Sequence, residues 1–567
     1  MNNLLTELDI SNCTKLVFLN FRNNKISGAF SVKHCVNLGY FECDANLITA
    51  IDVSGCKNLM GLSCSYNEGI TNIDVTHCPQ LRGLWFDEDS VTNIDLSNCR
   101  LLEAFYCQWN RHDGTCTGME AVNLTQCPNL REIAVNGNSL TSLNVTNCEN
   151  LDFLDCADNQ LKALDISRCP NLTMISCFNN NISALNVAAC PNLRILECSN
   201  NSISNLDVTN CTELENLAAF QNKITNIDVS KCTKLLNLDL DGNNIAALDV
   251  SNLTELRRLH VLGTFTTLDI SNCTQLEDLG CWTEGKLTTL DVTKCRGLKF
   301  LYCDWNNLSE LDVSQCPELE DLSCSINSIS VLDVTKCTKL QKLDCRENNL
   351  SKLDMSPCPE LQYLYTRGNN LTEINLANCT KLVELVVWEN KLTKLDITNC
   401  PELEYLDADA NSLSEIDLTQ TPTLRECWVS RNNLTEVDIT NCPLLEKFGC
   451  HHNKISYLDL SHNPKLQSLY CNANSLSMLD LSNNSNINTP SFDYGDQVIS
   501  SFNVTSTSDS NYPYIFALSE LGIYASNYSN VSDIAAKDDS SKDITVNFDN
   551  QTGIVKFAAL PALYFHE

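Results

Sequence analysis

Residues 151–171 read LDFLDCADNQLKALDISRCPN, and the same unit returns along most of the chain. Leu151, Leu154 and Cys156 fall at its first, fourth and sixth places, Asn159 at the ninth, and Leu164, Ile166 and Cys169 further on. The place of Cys169 recurs 23 times between residues 13 and 484 and holds cysteine in 19 of them. A period near 21 residues means that one short unit is stacked on itself, because a unit of that size cannot bury its own apolar side alone. The alternation in LxxLxC is that of a strand with one face inward, and a parallel strand from the next unit must cover it. Asparagine follows that strand in 19 of the 22 complete units, with Asp89, Thr264 and Glu284 as the exceptions. Its amide can bond to neighbouring turns whose backbone groups lack partners. The LDVS segment alternates again, and the residues left before the next strand give little room for a helix. The expectation is a predominantly β solenoid over residues 1–484, of about 22 rungs. It has a parallel sheet on a concave face and short extended or 3-10 segments on the convex face, with the two sides forming facing parallel sheets.

The full chain has 567 residues, 71 acidic against 38 basic side chains, and a formal charge of −33. That length can bury a large core. The charge argues against nucleic acid, because phosphate binding needs clustered Lys and Arg. No run of about 18 apolar residues occurs, so no helical membrane span is expected.

The same register accounts for the 33 cysteines: 19 take the place of Cys169, 12 take that of Cys156, and only Cys116 and Cys427 fall outside. A place shared with Leu, Val, Phe and Ala is a core place, so the thiols read as free, buried packing groups. No CxxC pair occurs, which argues against a zinc or redox centre. No cofactor and no metal are expected.

A 21-residue unit in which cysteine replaces an inward leucine resembles the leucine-rich repeats of the bacterial internalin J type, and the resemblance covers residues 1–484. It implies a non-enzymatic, exported or surface-bound bacterial protein that binds through its concave sheet, for adhesion or host-surface recognition. The sequence departs from that family in having no signal peptide, no helical N-terminal cap and no wall-sorting motif, and Asn3 already stands at a turn place, as if the chain began in mid-repeat. Extracellular or cell-surface location is therefore an expectation from resemblance alone.

Much of the acidity belongs to the scaffold. The column four residues before the Cys169 place is Asp in 18 of 23 occurrences, including Asp9, Asp165, Asp312 and Asp480. With Ser or Thr two residues later in 20 of 23, each carboxylate should accept a turn N–H. A stripe of such acids is a weaker candidate for cations, since one carboxylate per rung without a glycine-rich turn is poor calcium geometry.

Places three, five, seven and eight of the unit point away from the core, and all six tryptophans fall there. The candidate ligand-binding residues are Tyr66, Trp85, Tyr106 and Trp109 in one cluster, and Trp282, Tyr302 and Trp305 in a second, beside Phe300. Tyr363, Tyr365, Trp388, Tyr405 and Trp428 form the third. Flat rings beside Asp304, Asp321, Arg346, Arg367, Asp407 and Asp409 suit a protein partner, with rigid aromatics and Arg as anchors. A glycan stacked on the same rings is the alternative, and a cytosolic scaffold or regulator a third reading.

Irregular rungs add little chemistry. Cys99 to Cys127 carries seven extra residues, with Arg111, His112, Asp113 and Cys116 in a glycine-containing loop that offers no shell to support a nucleophile. His451 and His452 are expected on the concave face as solvated side chains rather than ligands. From residue 485 to 567 the period stops and short alternating runs such as ITVNFDN and GIVKFAAL point to a β-rich cap or small β domain. No catalytic arrangement stands out from the repeat logic, so the chain is read as non-enzymatic.

Overall fold

The computed structural model describes residues 3–109, 118–476 and 479–487, together with eight strand segments beyond residue 491. The insertion residues Arg111, His112, Asp113 and Cys116 lie outside the described residues. The chain divides into two compact units, Met1–Leu287 and Thr288–Glu567.

Each unit is a solenoid of short parallel strands. Thirteen described strands stack in the first, from Phe18–Asn20 to Asp278–Trp282, and ten in the second, from Phe300–Tyr302 to Phe492–Asp493. The register follows the repeat: Ile175 lies opposite Leu154 and Leu196, and Leu343 opposite Leu322 and Leu364. Most of these strands are three residues long, so the middle side chain points inward and its two neighbours point out. The inward leucines have no exposed surface, and each contributes about 1.5–3 kcal/mol by leaving water.

The opposite side of each rung is not the second sheet that the LDVS alternation suggested. Only fragments pair there, among them Ser27–Ser31 with Leu47–Asp52, Leu185–Asn186 with Leu206–Asp207, and Lys352–Asp354 with Glu373–Asn375. A local turn closes each rung directly after these residues. In rung after rung the N–H of the cysteine place bonds back three residues, as Cys169 does to Ile166 O at 3.0 Å and Cys316 to Val313 O at 3.0 Å. The aspartate column tightens the same turn: Asp207 Oδ1 accepts the Thr209 N–H at 3.0 Å and the Thr209 hydroxyl at 2.6 Å. These bonds hold the Asp207, Asp312 and Asp417 carboxyls below the usual carboxylate range.

The turn asparagines run as a ladder through the interior. Asn159 donates to Val135 O of the preceding rung at 2.9 Å and to Cys156 O and Ala157 O of its own, while its Oδ1 accepts the Leu140 N–H at 2.9 Å. One side chain thus ties together two rungs, sharing Val135 O and Cys156 O with the neighbouring ladder asparagines Asn138 and Asn180.

The residue before each ladder position adopts a left-handed backbone, as at Tyr66 (φ 61°), Trp109 (54°), Trp305 (58°) and Ile326 (52°). Recurrent Gly and Asn at this place, as at Gly137, Gly242, Gly368, Asn179 and Asn200, are the sequence trace of it. A β-branched residue is strained here. Ile326→Asn should therefore raise stability by about 1 kcal/mol, read as a higher urea midpoint; no change, or a loss, would contradict the strain.

Described cysteines are free, and all but Cys13 are buried. Burial pushes their thiols up, to about 12 at Cys148 and Cys337 and about 11 at Cys56, so they stay protonated and unreactive near neutrality. The packing reading needs one correction. In the Cys169 column the S–H points at backbone oxygen, as Cys56 does to Val32 O at 3.3 Å and Cys190 to Cys169 O at 3.5 Å. Where cysteine is absent, Thr421 donates to Leu418 O at 2.9 Å, and Asn463 to Ile439 O and Cys442 O, both at 2.9 Å. This column supplies hydrogen-bond donors as well as volume, which explains why Thr and Asn can replace Cys in it. Thiol titration in denaturant without reductant should find nearly all 33 cysteines reactive; a value near one would mean that the columns are bridged.

Beyond residue 500 the pairing turns antiparallel, as between Val546–Asp549 and Ile554–Phe557.

Candidate functional site

The aromatics sit where the three-residue strand leaves room for them. Trp85, Tyr106, Trp282, Tyr302, Tyr363, Tyr365, Tyr405 and Trp428 flank the inward middle residue of a strand or close its end, and all are half-buried. Trp388 follows its strand by two residues and is half-buried too. Tyr66, Trp109 and Trp305 occupy the left-handed place and stand 52%, 49% and 59% exposed.

In the first unit Trp85 and Tyr106 stack, with ring centroids 6.2 Å apart and planes 28° from parallel. Trp85 lines a groove of about 700 Å³ that also reaches Tyr40 and Tyr66. The Tyr106 hydroxyl donates to Glu132 Oε2 at 2.7 Å. Burial and that carboxylate push its phenol well up, so it stays a neutral donor. Further along the same unit, Trp282 meets His260 edge-on at 5.8 Å, and His260 Nε2 lies 2.8 Å from Asp278 Oδ1.

Glycines position several of these indoles, and the analysis of the sequence did not single them out. A Cβ on Gly83 or Gly280 would fall inside 3.0 Å of the Trp85 or Trp282 ring, one on Gly449 inside 3.0 Å of Trp428, and one on Gly137 inside 3.0 Å of Trp109. The readable signals were the tripeptides Gly83-Leu84-Trp85 and Gly280-Cys281-Trp282, and Gly449 standing one repeat after Trp428. A ring laid over a bare Cα loses little further freedom when a ligand arrives.

The second unit interleaves rings with charge. Arg367 stands 4.0 Å above the centre of the Trp388 ring, with Glu347 and Glu389 each 3.9 Å from its Nε. Arg346 lies 5.7 Å from the Tyr365 centroid while Asp344 Oδ1 accepts its Nε–H at 2.9 Å. Tyr365 donates to Glu384 at 3.0 Å, and Tyr302 lies 3.5 Å from Asp321. Asp304 is turned to neighbouring hydroxyls and the Ser325 N–H at 2.8 Å. Trp428 packs against Tyr470, with ring centroids 5.7 Å apart. Burial and the Asp407 charge push Asp409 up to about 7, and burial with Asp407 and Glu426 pushes the Tyr405 phenol up to about 12. His451 and His452 face each other at 5.4 Å.

Of the three sequence clusters, Tyr66 and Trp85 of the first share one groove, with Tyr106 stacked on Trp85 and Trp109 outside the groove's lining. The third is spread over successive rungs, with Arg367 over Trp388 and Trp428 turned to Tyr470. The second falls across the two units: Trp282 ends the described strands of the first, and Phe300 and Tyr302 begin those of the second. Among the described residues no group of three or more His, Cys, Asp or Glu is placed to hold a metal, and no helix is long and apolar enough to cross a membrane. What the surface offers is aromatic rings set beside carboxylates.

Neither protein-family models nor curated proteins give a match to this chain. Among solved structures it is similar to the functional domain of InlJ from Listeria monocytogenes, which includes a cysteine ladder, at 30% identity and a TM-score of 0.57 over 69% of this chain and 85% of that one. A plant peptide hormone receptor, RGFR1, in complex with RGF2, is similar at 18% identity and a TM-score of 0.61 over 82% of this chain and 91% of that one. YopM from Yersinia enterocolitica is similar at 23% identity and a TM-score of 0.53 over 82% and 88%. The last two likenesses speak to the fold alone.

Proposed function

The chain belongs to the internalin family of leucine-rich-repeat proteins, in the form that carries a cysteine ladder, and from that premise we propose that it is a non-enzymatic recognition protein. It acts outside the bacterial cell, secreted or at the surface, and holds a protein partner along the aromatic face of its strands. One observation carries this reading: indoles at four places, Trp85, Trp109, Trp282 and Trp428, rest against glycines that leave their rings fixed before any ligand binds. Rigid aromatic anchors with neighbouring arginine are the residues that dominate binding energy in protein interfaces. The antiparallel pairing of the described strands beyond residue 500 supports a β-rich cap after the repeats.

The same flat indoles favour glycan capture as the second reading, since a sugar ring stacks on an aromatic face. The two are separated by comparing the wild type with a Trp85→Ala, Trp305→Ala, Trp388→Ala triple variant, in protein pull-down and on a glycan array. Protein recognition expects a retained protein that the variant loses, by at least about 2 kcal/mol or 30-fold in affinity, with a silent array. Array binding that disappears with Trp305→Ala alone would establish the glycan reading instead. Equal retention by wild type and variant would remove the aromatic face from either.

A further inference from the structure

We propose that the groove on the strand face of the first unit takes an extended segment of the partner protein through its arginine or lysine side chains, an inference that rests on the protein-binding reading above. The groove carries four carboxylates, Glu42, Asp44, Asp87 and Glu103, against two guanidinium groups, Arg22 and Arg82. Both cations are engaged within the chain. Arg22 sits against Asp44 with Glu42 3.4 Å away, and Arg82 pairs with Glu103. Asp87 receives neutral donors, the Gln108 N–H at 2.7 Å and the Ser65 hydroxyl at 3.3 Å. The groove therefore keeps an excess of negative charge beside the stacked Trp85 and Tyr106.

The second unit shows what such a setting holds. There, twice, a ring with carboxylates beside it carries a guanidinium of the chain itself: Arg367 over Trp388 with Glu347 and Glu389, and Arg346 by Tyr365 with Asp344. A guanidinium is attracted to the negative face of an aromatic ring, and a neighbouring carboxylate adds its own attraction. At Trp85 the ring and the carboxylate of Asp87 are in place, and the third component has to come from outside the chain. The strands from Tyr40 to Ala104 span four rungs, about 14 Å at a strand spacing near 4.8 Å, which matches about four residues of extended chain. That length selects a polypeptide with a basic side chain over a small ammonium ion. The net charge of −33 adds long-range attraction for a basic partner and makes its capture salt-dependent.

The test is selection of a phage-displayed random 12-residue peptide library on the full chain, with each enriched peptide then measured against Asp87→Asn and Trp85→Phe. Asp87→Asn keeps the shape and the Gln108 bond, and unchanged thermal melting verifies that it folds. The expected result is enrichment of peptides with Arg or Lys at alternate positions, weakened at least tenfold by Asp87→Asn and by raising NaCl from 0.1 to 0.5 M. Enrichment of neutral or acidic peptides that bind Asp87→Asn as well as wild type, yet need Trp85, would overturn the cation inference and leave protein recognition standing. Failure of any peptide to enrich would count against both.

Discussion

Replacing Asn348 by alanine should speed hydrogen exchange of the amides in the rungs on either side by about one to two orders of magnitude. The side chain donates to Cys324 O at 2.9 Å, Cys345 O at 3.2 Å and Arg346 O at 3.1 Å, and accepts the Ile329 N–H at 2.9 Å. Alanine leaves the buried Ile329 N–H without this partner, while Cys324 O keeps the Asn327 amide, Cys345 O the Asn369 amide and Arg346 O the Ile326 N–H. An orphaned buried group costs about 1–3 kcal/mol, and about 1.4 kcal/mol is one decade in an equilibrium. Local exchange is the right probe because stacked repeats contact only their neighbours and open piecewise. Asn349, next in sequence but exposed, should change exchange by less than threefold when replaced by alanine. Equal effects at the two positions would mean that the ladder is not what joins the rungs.

The second large effect is at Asp89, the acid that interrupts this ladder. Asp89 is wholly buried, accepts the Asn67 N–H on Oδ1 at 2.7 Å and lies 3.8 Å from the Cys64 thiol. Burial, with the charges of Asp87 and Asp44 beside it, pushes its carboxyl up to about 8. Because the folded chain holds this proton more tightly than the unfolded chain, its contribution is complete below about pH 4 and is lost as pH rises through 8. Asparagine supplies the ladder's usual amide and has no charge to bury. Asp89→Asn should therefore leave stability near pH 4 little changed and raise it by about 3 kcal/mol at pH 9, read as loss of the wild type's fall in urea midpoint between about pH 4 and 8. Parallel limbs in variant and wild type would refute a buried, proton-holding Asp89. The turn carboxylates Asp207, Asp312 and Asp417 act in the opposite sense. Their stabilisation is present above the ordinary carboxylate range and is lost as pH falls through their lowered values, which predicts acid unfolding shared over many rungs.

What was readable in the sequence follows from what a repeat preserves. Leu154, Cys156 and Asn159 recur because a strand needs a buried middle and its turn needs an amide, so the solenoid, its register and the ladder all show in the letters. The left-handed place before the asparagine was harder to see, because Tyr66, Trp305 and Ile326 there look like ordinary outward residues. The second sheet failed for a similar reason. LDVS alternates as a strand does, yet a closed turn follows it at once and only short fragments of it pair. The cysteine column was legible as core but not as a row of donors until Thr421 and Asn463 were seen making the same bonds.

At the site, periodicity placed the aromatics outward but said nothing of what lies under or over them. Gly83 and Gly449 matter because they have no side chain, a property that a count of ring positions does not register. Arg367 and Trp388 stand 21 residues apart, as neighbours on stacked rungs do. Their contact at 4.0 Å depends on the direction of two long side chains, which periodicity leaves open.

The strand face as the binding surface is tested most directly by hydroxyl-radical footprinting of the chain with its captured partner bound. Protection should fall on Trp85, Tyr106, Trp388 and Trp428, while the opposite turns around Val331 and Tyr457, both strongly exposed, keep their free reactivity. Protection of Val331 and Tyr457 with the four rings unchanged would contradict recognition through the aromatic face.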